Sequence, residues 1–349
     1  MSLITPLRNI LEAINLEEPK RVPLTALEQE HAVKVANVSY SDYARDSKVI
    51  AMVQKLAVKK YSLDMAWVHV DDWIEYEAMG DKLRFSYENV PVCEEYAVKG
   101  EEDLDRLEIP DPNKDGRIPI FLKGINLLSR EMGDEVMICG RVASAFSGML
   151  LLRGLEQGLK DLYLNKRLVE KLLEIAHEVA RVSAEAQIEA GAHALWIGDC
   201  LASSRIISPK FQESYSLPYL RKIVEFVKSI GGVSIIFTDE RDLARFEKEA
   251  EANPDVHAIG TGLSIKELKD RLGDKECLFG NVDPINPLLQ GSTAEVSKAV
   301  RDCVKEGAPG GGFILSTGEC VCRETPEQNL YAYVKTAKSI FAYPRKELL

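Results

Sequence analysis

The sequence predicts one α/β domain over residues 1–349, a single (β/α)8 (TIM) barrel with an insertion at 82–116 after its second strand. Three observations predict it. Short apolar runs of strand length alternate with longer stretches of helical periodicity along the chain. Eight such strand candidates can be found, which favours closure into a barrel over an open doubly wound sheet. No linker or low-complexity tract interrupts the 349 residues, and a barrel commonly takes ~250 residues or more as one domain.

The strand candidates are 23–27, 64–70, 136–140, 194–198, 233–237, 256–260, 277–281 and 312–316. Most are apolar throughout, as parallel strands covered on both faces must be. Helices are expected near 45–60, 117–132, 165–190, 209–229, 241–252, 264–272, 292–306 and 326–340. The clearest is 165–190, where Leu168, Leu172, Ile175, Val179 and Val182 recur at three- and four-residue steps. Ser208-Pro209 and Thr325-Pro326 have the form of an N-cap followed by a first-turn proline. The stretch 82–116 breaks the alternation. It holds short extended runs and ends in the turn-rich P-D-P-N-K-D-G, and a long loop at this place lies at the catalytic end of a barrel, where it can act as a lid. The run Ala308-Pro309-Gly310-Gly311-Gly312 enters a strand and lacks the lysine of a phosphate loop, so it predicts a tight turn.

The charge balance narrows the function. A net charge of -11 argues against a nucleic-acid partner. No apolar run approaches the ~18 residues that span a bilayer, and Met1–Lys20 resembles no signal peptide, so neither a membrane partner nor secretion is expected. Seven cysteines, an odd number, are scattered along the chain, which suits a reducing, cytoplasmic setting.

In a barrel the chemistry sits just past the strand C-termini. Those positions hold Glu28, Glu30 and His31 after the first strand, Asp71 and Asp72 after the second, and Arg141 and Ser144 at the third. The fourth delivers Asp199 and Cys200, and the fifth Thr238, Asp239 and Glu240. Thr261 follows the sixth strand, Asn281 and Asp283 the seventh, and Ser316, Thr317, Glu319 and Cys320 the eighth. Crowded carboxyls raise one another's pKa values and suit general acid work, metal binding or substrate recognition. Each of these acids can equally cap the helix that follows, although Asp199 lies too far from Pro209 for that. Arg141 can clamp a carboxylate or phosphate, or pair with a rim acid. Of the five histidines, only His31 falls at the expected rim; His69, His177, His193 and His257 read as structural.

Several segments taken together resemble the uroporphyrinogen decarboxylase family over nearly the whole chain. They are P-D-P-x-K-D-G-R-x-P (110–119), I-G-D-x-x-A-S (197–203), I-S-P-K (207–210), L-P-Y-L (217–220), G-N-V-D-P (280–284), L-x-x-G-S (288–292), G-G-G-F-I-L-S-T-G (310–318) and T-P-E-Q-N (325–329). The resemblance implies the barrel independently of the strand count. It also implies one of two activities, porphyrinogen decarboxylation or corrinoid-dependent methyl transfer. The decarboxylases carry arginines in an N-terminal M-R-Q-A-G-R segment. The matching stretch here, V-P-L-T-A-L-E-Q-E-H (22–31), has no arginine and two glutamates, which would repel a polycarboxylate. The D-P-x-K-D-G-R and I-S-P-K segments look more like the methyltransferase branch.

That branch implies a zinc site, H-x-C and a later Cys, that activates a thiol acceptor. The matching positions here are Phe237, Thr238, Asp239 and Glu319, so the usual ligands are absent. A variant metal site of Asp239, Glu319 and Cys320 is left open. The resemblance therefore implies transfer of a methyl group between a small methylated substrate, a methyl ether foremost, and a corrinoid (cobalamin) supplied by a partner protein, since no D-x-H-x-x-G corrinoid motif occurs in this chain. Asp239, Glu319, Asp199, His31 and Glu30 are the candidate catalytic groups. Arg141, Asp72, Asn281 and Glu28 are the candidate substrate contacts. A decarboxylase-like lyase and a non-catalytic barrel that binds a ligand or a corrinoid protein are the alternatives. The chain is expected as a monomer or homodimer.

Overall fold

The computed structural model describes residues 5–340; the ends of the predicted 1–349 domain lie outside the described residues. Seven parallel strands form one sheet, β1 (Met65–Trp67), β4 (Met137–Ala143), β5 (Ala194–Gly198), β6 (Val233–Phe237), β7 (Val256–Ala258), β8 (Cys277–Val282) and β9 (Phe313–Thr317), paired in that order. The two remaining strands, β2 (Lys82–Arg84) and β3 (Val92–Glu95), make an antiparallel hairpin inside the 82–116 insertion.

The eighth barrel position is a correction to the sequence reading. Residues 23–27 form no strand, only a single parallel bridge between Leu24 and Leu315. The curled sheet still closes through it. Thr25 N–H donates to Leu315 O at 2.9 Å and Leu315 N–H to Pro23 O at 2.9 Å, while on the other side Asp64 N–H donates to Leu24 O at 2.8 Å. The physical reason is twofold. Pro23 has no N–H to extend the ladder, and Leu24 N–H is taken by the Asp64 side chain (Oδ2, 2.8 Å) rather than by a strand carbonyl. Arg21 grips the same carboxylate with both terminal nitrogens, at 2.6 and 2.5 Å. Amides on this thin ladder, Thr25 and Leu315, are expected to exchange with solvent deuterium roughly tenfold or more faster than Leu195 and Ile236 in the middle of the sheet. Equal protection at all four would show the closing bridge to be as firm as the central strands.

Alternation along the strands sorts their side chains between two apolar layers. Met65, Trp67, Met137, Cys139, Ala194, Trp196, Ile235, Phe237, Phe279 and Ile314 pack together inside the barrel. Ala66, Val68, Ile138, Val142, Leu195, Ile197 and Ile236 pack with the surrounding helices. Both faces are buried, which is why the strands read as continuous apolar runs. The predicted helix at 165–190 is present as Lys166–Glu189, capped by Asn165, whose side chain accepts from Leu168 N–H at 3.2 Å.

Two helix expectations are corrected. The stretch 209–229 is not one α-helix: Pro209–Phe211 passes through a π-turn, Gln212–Ser216, into Leu217–Ser229. Pro218 lacks the N–H and brings a ring clash that a continuous α-helix would not accommodate. The last helix begins at Glu327 with Pro326 as its N-cap, one residue later than expected. The glycine run is the tight turn expected, with Gly310, Gly311 and Gly312 all at positive φ. A Cβ on Gly311 would stand 2.5 Å from Glu17 O. Among the described residues no helix is long and apolar enough to cross a membrane.

Candidate active site

The inward side chains leave a cavity of about 720 Å³ at the strand C-termini. Its floor is aromatic because inward positions on β1, β5 and β6 carry Trp67, Trp196 and Phe237. Trp196 meets Trp67 edge-on at 5.5 Å and Phe237 at 5.1 Å between ring centroids. His69, two residues beyond Trp67 and so on the same side, stacks on it at 4.8 Å with planes 5° apart. The mouth carries Leu155 and Ile285, both lining the cavity and exposed. The insertion contributes Tyr96, whose ring fits against Gly154; a Cβ there would stand 2.7 Å from it.

Seven of the sequence-predicted residues line this space: Glu30, Asp72, Arg141, Cys200, Asp239, Glu319 and Cys320. Glu30 sits in the first turn of helix Gln29–Val35. Burial raises its carboxyl above the ordinary value, against the opposing charges of His69 and Arg323. Asp72 is enclosed by protein but opens onto cavity space. Burial alone would lift its pKa, but the His69 ring, with Nε2 at 3.1 Å, and the charge of Arg141 outweigh it and hold the carboxyl down to about 2. Arg141 is 2% exposed, and its Nη2 lies 3.0 Å from Glu75 Oε2 as an ion pair outside hydrogen-bond geometry.

Asp239 has a left-handed backbone, φ 52°, and pairs with Arg205 Nη1 at 3.0 Å. Glu319 accepts a hydrogen bond from Thr261 Oγ1 at 2.9 Å. Arg241 Nη2 lies between the two acids, 3.7 Å from Asp239 Oδ1 and 3.5 Å from Glu319 Oε1. Burial pushes the Cys320 thiol up to about 12, with Glu30, Asp72 and Glu319 adding to the effect against a hydrogen bond from Gln29. These residues do not fit a zinc–thiolate centre: a guanidinium stands between the two carboxylates. Among the described residues no three His, Cys, Asp or Glu side chains gather as a metal site. Cys320 is accordingly expected to react with iodoacetamide at pH 8 roughly 10³-fold more slowly than an ordinary thiol. Mass spectrometry of the labelled chain reads this out, and labelling at the ordinary rate would show a thiolate poised in the cavity.

The other predicted residues lie behind the wall. Asp199 is fully buried and accepts hydrogen bonds from Ser147 N–H (2.9 Å), Ser147 Oγ (2.8 Å) and Ser216 Oγ (2.6 Å). Burial raises its pKa against those bonds. His31 shares a hydrogen bond with the Tyr61 hydroxyl at 2.8 Å, and burial lowers its pKa to about 4. Glu28 is fully buried with neither carboxyl oxygen partnered, and burial raises it to about 8. Asn281 donates to Gly260 O and Leu263 O at 3.0 and 3.1 Å, tying down the loop after β7.

The sequence reading missed the aromatic floor, Tyr96, Arg323 and His69, all of which line the cavity. The signal for His69 was the two-residue step from Trp67. Of the other histidines, His257 is a wall residue between Glu249 (3.4 Å) and Glu276 (3.0 Å), and His193 Nδ1 accepts Ile138 N–H at 3.0 Å.

Comparison with known proteins adds the following. The family described as Uroporphyrinogen decarboxylase (URO-D) matches residues 5–340. The methylcobamide:CoM methyltransferase MtbA of Methanosarcina acetivorans is 24% identical over 343 residues, covering 97% of this chain and 99% of its own. The uroporphyrinogen decarboxylase of Anaeromyxobacter dehalogenans is 27% identical over 346 residues, covering 93% and 96%. A solved methyltransferase from Methanosarcina mazei shares the fold with a TM-score of 0.88 at 21% identity, covering 97% of this chain and all of its own.

Proposed function

The chain belongs to the uroporphyrinogen decarboxylase family, and on that premise we propose that it is a methyltransferase acting between a small methylated substrate and a corrinoid carried by a partner protein. Similarity to the methylcobamide:CoM methyltransferases over nearly the full length supports this reading. So does the segment 22–31, which has no arginine and sets Glu30, not a cation, on the cavity wall. The observation that carries the chemistry is Glu30, a carboxyl whose proton is favoured by burial, set on the wall of an aromatic cavity.

The favoured substrate is a methyl ether, whose oxygen is a poor leaving group unless it is protonated as the bond breaks. A reduced corrinoid supplies the nucleophile that takes the methyl group. This chain's residues do the rest. Trp67, Trp196 and Phe237 hold the apolar body of the substrate and exclude water. Glu30 gives its proton to the ether oxygen as the methyl–oxygen bond breaks, releasing the alcohol, and regains a proton from solvent. Asp72, held as an anion beside His69, orients the ring on which the floor is stacked. Asp239 and Glu319, locked by Arg205 and Arg241, shape the far wall, while Asp199 and His31 brace the wall from behind. The exposed Leu155 and Ile285 give the mouth an apolar rim for the corrinoid carrier, with the 82–116 insertion as the cover.

The test is anaerobic. Purified protein is mixed with cob(I)alamin, or with a corrinoid protein, and with methyl ethers, methylamines or methyl thioethers in turn. Loss of the reduced-corrinoid absorbance with the ethers is the expected result. No loss with any donor and either form of the corrinoid would sink the proposal, and release of CO2 from a carboxylate substrate would put a lyase in its place.

A further inference from the structure

Five donor nitrogens in the cavity wall are buried without a hydrogen-bond acceptor: Nε, Nη1 and Nη2 of Arg141, and the indole Nε1 of Trp67 and of Trp73. All three residues line the cavity. Trp67 and Arg141 come from neighbouring strands, β1 and β4, with Trp67 beside Cys139, two residues before Arg141, and Trp73 caps the helix Ile74–Ala78 that follows β1. A buried donor left unmet is expensive, and native proteins leave few of them. The acids nearby do not answer these donors. Glu75 Oε2 stands 3.0 Å from Arg141 Nη2 outside hydrogen-bond geometry, while its Oε1 accepts from Ser183 Oγ at 2.6 Å. Asp72 is engaged by His69 and Asp71 by Arg117.

From this, resting on the reading of the cavity as a methyl-transfer site, we infer that the methylated substrate carries a carboxylate seated on Arg141 with the indoles of Trp67 and Trp73 beside it. The chemistry of the wall selects the group. Five unmet donors beside one unmet acceptor, Glu75 Oε2, call for a group made of acceptors, and a carboxylate offers two oxygens to the planar fork of a guanidinium. An amide would turn its own N–H groups toward the donors. An ester offers acceptors but no charge for a guanidinium that burial has stripped of water. The aromatic floor next to this seat takes an apolar or aryl body, which leaves the methylated oxygen to Glu30.

The chain reports on this seat directly. It has three tryptophans, and Trp67, Trp73 and Trp196 all line the cavity, so every indole in the protein senses an occupant. Full-length protein without corrinoid is titrated with 3-methoxybenzoate and methoxyacetate, and with the amide and methyl ester of each, following tryptophan fluorescence. The carboxylates are expected to bind saturably and roughly 30-fold more tightly than their neutral counterparts. Arg141→Lys, which keeps the charge and loses the fork, should weaken the carboxylates about tenfold with the circular dichroism unchanged. Amide or ester binding equal to that of the acid, or failure of both acids to bind, overturns the inference. So does an Arg141→Lys protein that is folded and binds as before. If that variant does not fold, the ligand series on the unaltered protein decides alone. Binding here needs neither corrinoid nor turnover, so a failed methyl-transfer assay and a failed carboxylate seat are separate results.

Discussion

Glu30→Gln is expected to lower kcat for transfer from a methyl ether by roughly 10²–10⁴-fold with little change in KM, the range for removal of a general acid. Glutamine keeps the size and the hydrogen-bonding edge of the side chain, so binding survives while the proton is lost. The pH profile separates this from a packing defect. A proton donor works in its protonated form, and burial has raised the Glu30 pKa. The unaltered enzyme should therefore be most active below that raised pKa and lose rate as pH climbs through it. In Glu30→Gln that alkaline limb should disappear from a small residual rate. A nitrophenyl methyl ether, whose phenolate leaves without help, should recover most of the loss. Stopped-flow measurement with reduced corrinoid reads all three effects. A fall of less than about tenfold, with the alkaline limb intact, would assign the proton to another group.

Glu28→Gln should stabilise the protein at alkaline pH by on the order of 5 kcal/mol. Glu28 is completely buried, neither of its oxygens has a partner, and burial lifts its pKa to about 8. In the unfolded chain the same group titrates near ~4.3. The sign follows from the two values. Below pH ~4.3 both states hold the proton, and the carboxyl costs the fold nothing. Between there and about 8 the unfolded chain releases the proton while the folded one retains it, so folding loses about 1.4 kcal/mol per pH unit. Above about 8 the loss is complete and constant. Glutamine fits the same space uncharged at every pH, so urea unfolding of the two proteins should agree near pH 4.5 and separate steadily up to pH 8. Parallel curves across that range would mean that solvent reaches Glu28.

The fold was legible where a residue's environment is set by its near neighbours. Parallel strands covered on both faces must be apolar at every position, and 194–198, 233–237 and 312–316 could be read from that alone. The closing segment was not legible as a bridge, because the group that replaces its ladder partner is the Asp64 side chain, forty residues away. Pro218 was visible in the sequence, but the helix expected at 209–229 ran through it, and the π-turn was missed. For the site, the rule that chemistry sits past the strand ends brought seven residues to one cavity. It misplaced Asp199, which looked free because the next expected helix begins near Pro209, yet its partners Ser147 and Ser216 lie 52 and 17 residues away. The aromatic floor was invisible for a different reason: an inward Trp or Phe reads as core whether or not anything is packed above it.

The closing bridge has a consequence for how the chain comes off the ribosome. Leu24 waits for Leu315, and Leu27 N–H donates to Thr317 Oγ1 across 290 residues. Domains assemble from the N-terminus during synthesis, and contacts this distant in sequence form last. Glu30 emerges long before the Glu319–Cys320 side of its cavity. A nascent fragment that ends short of that side holds no finished pocket: Glu30 must wait for its opposite wall.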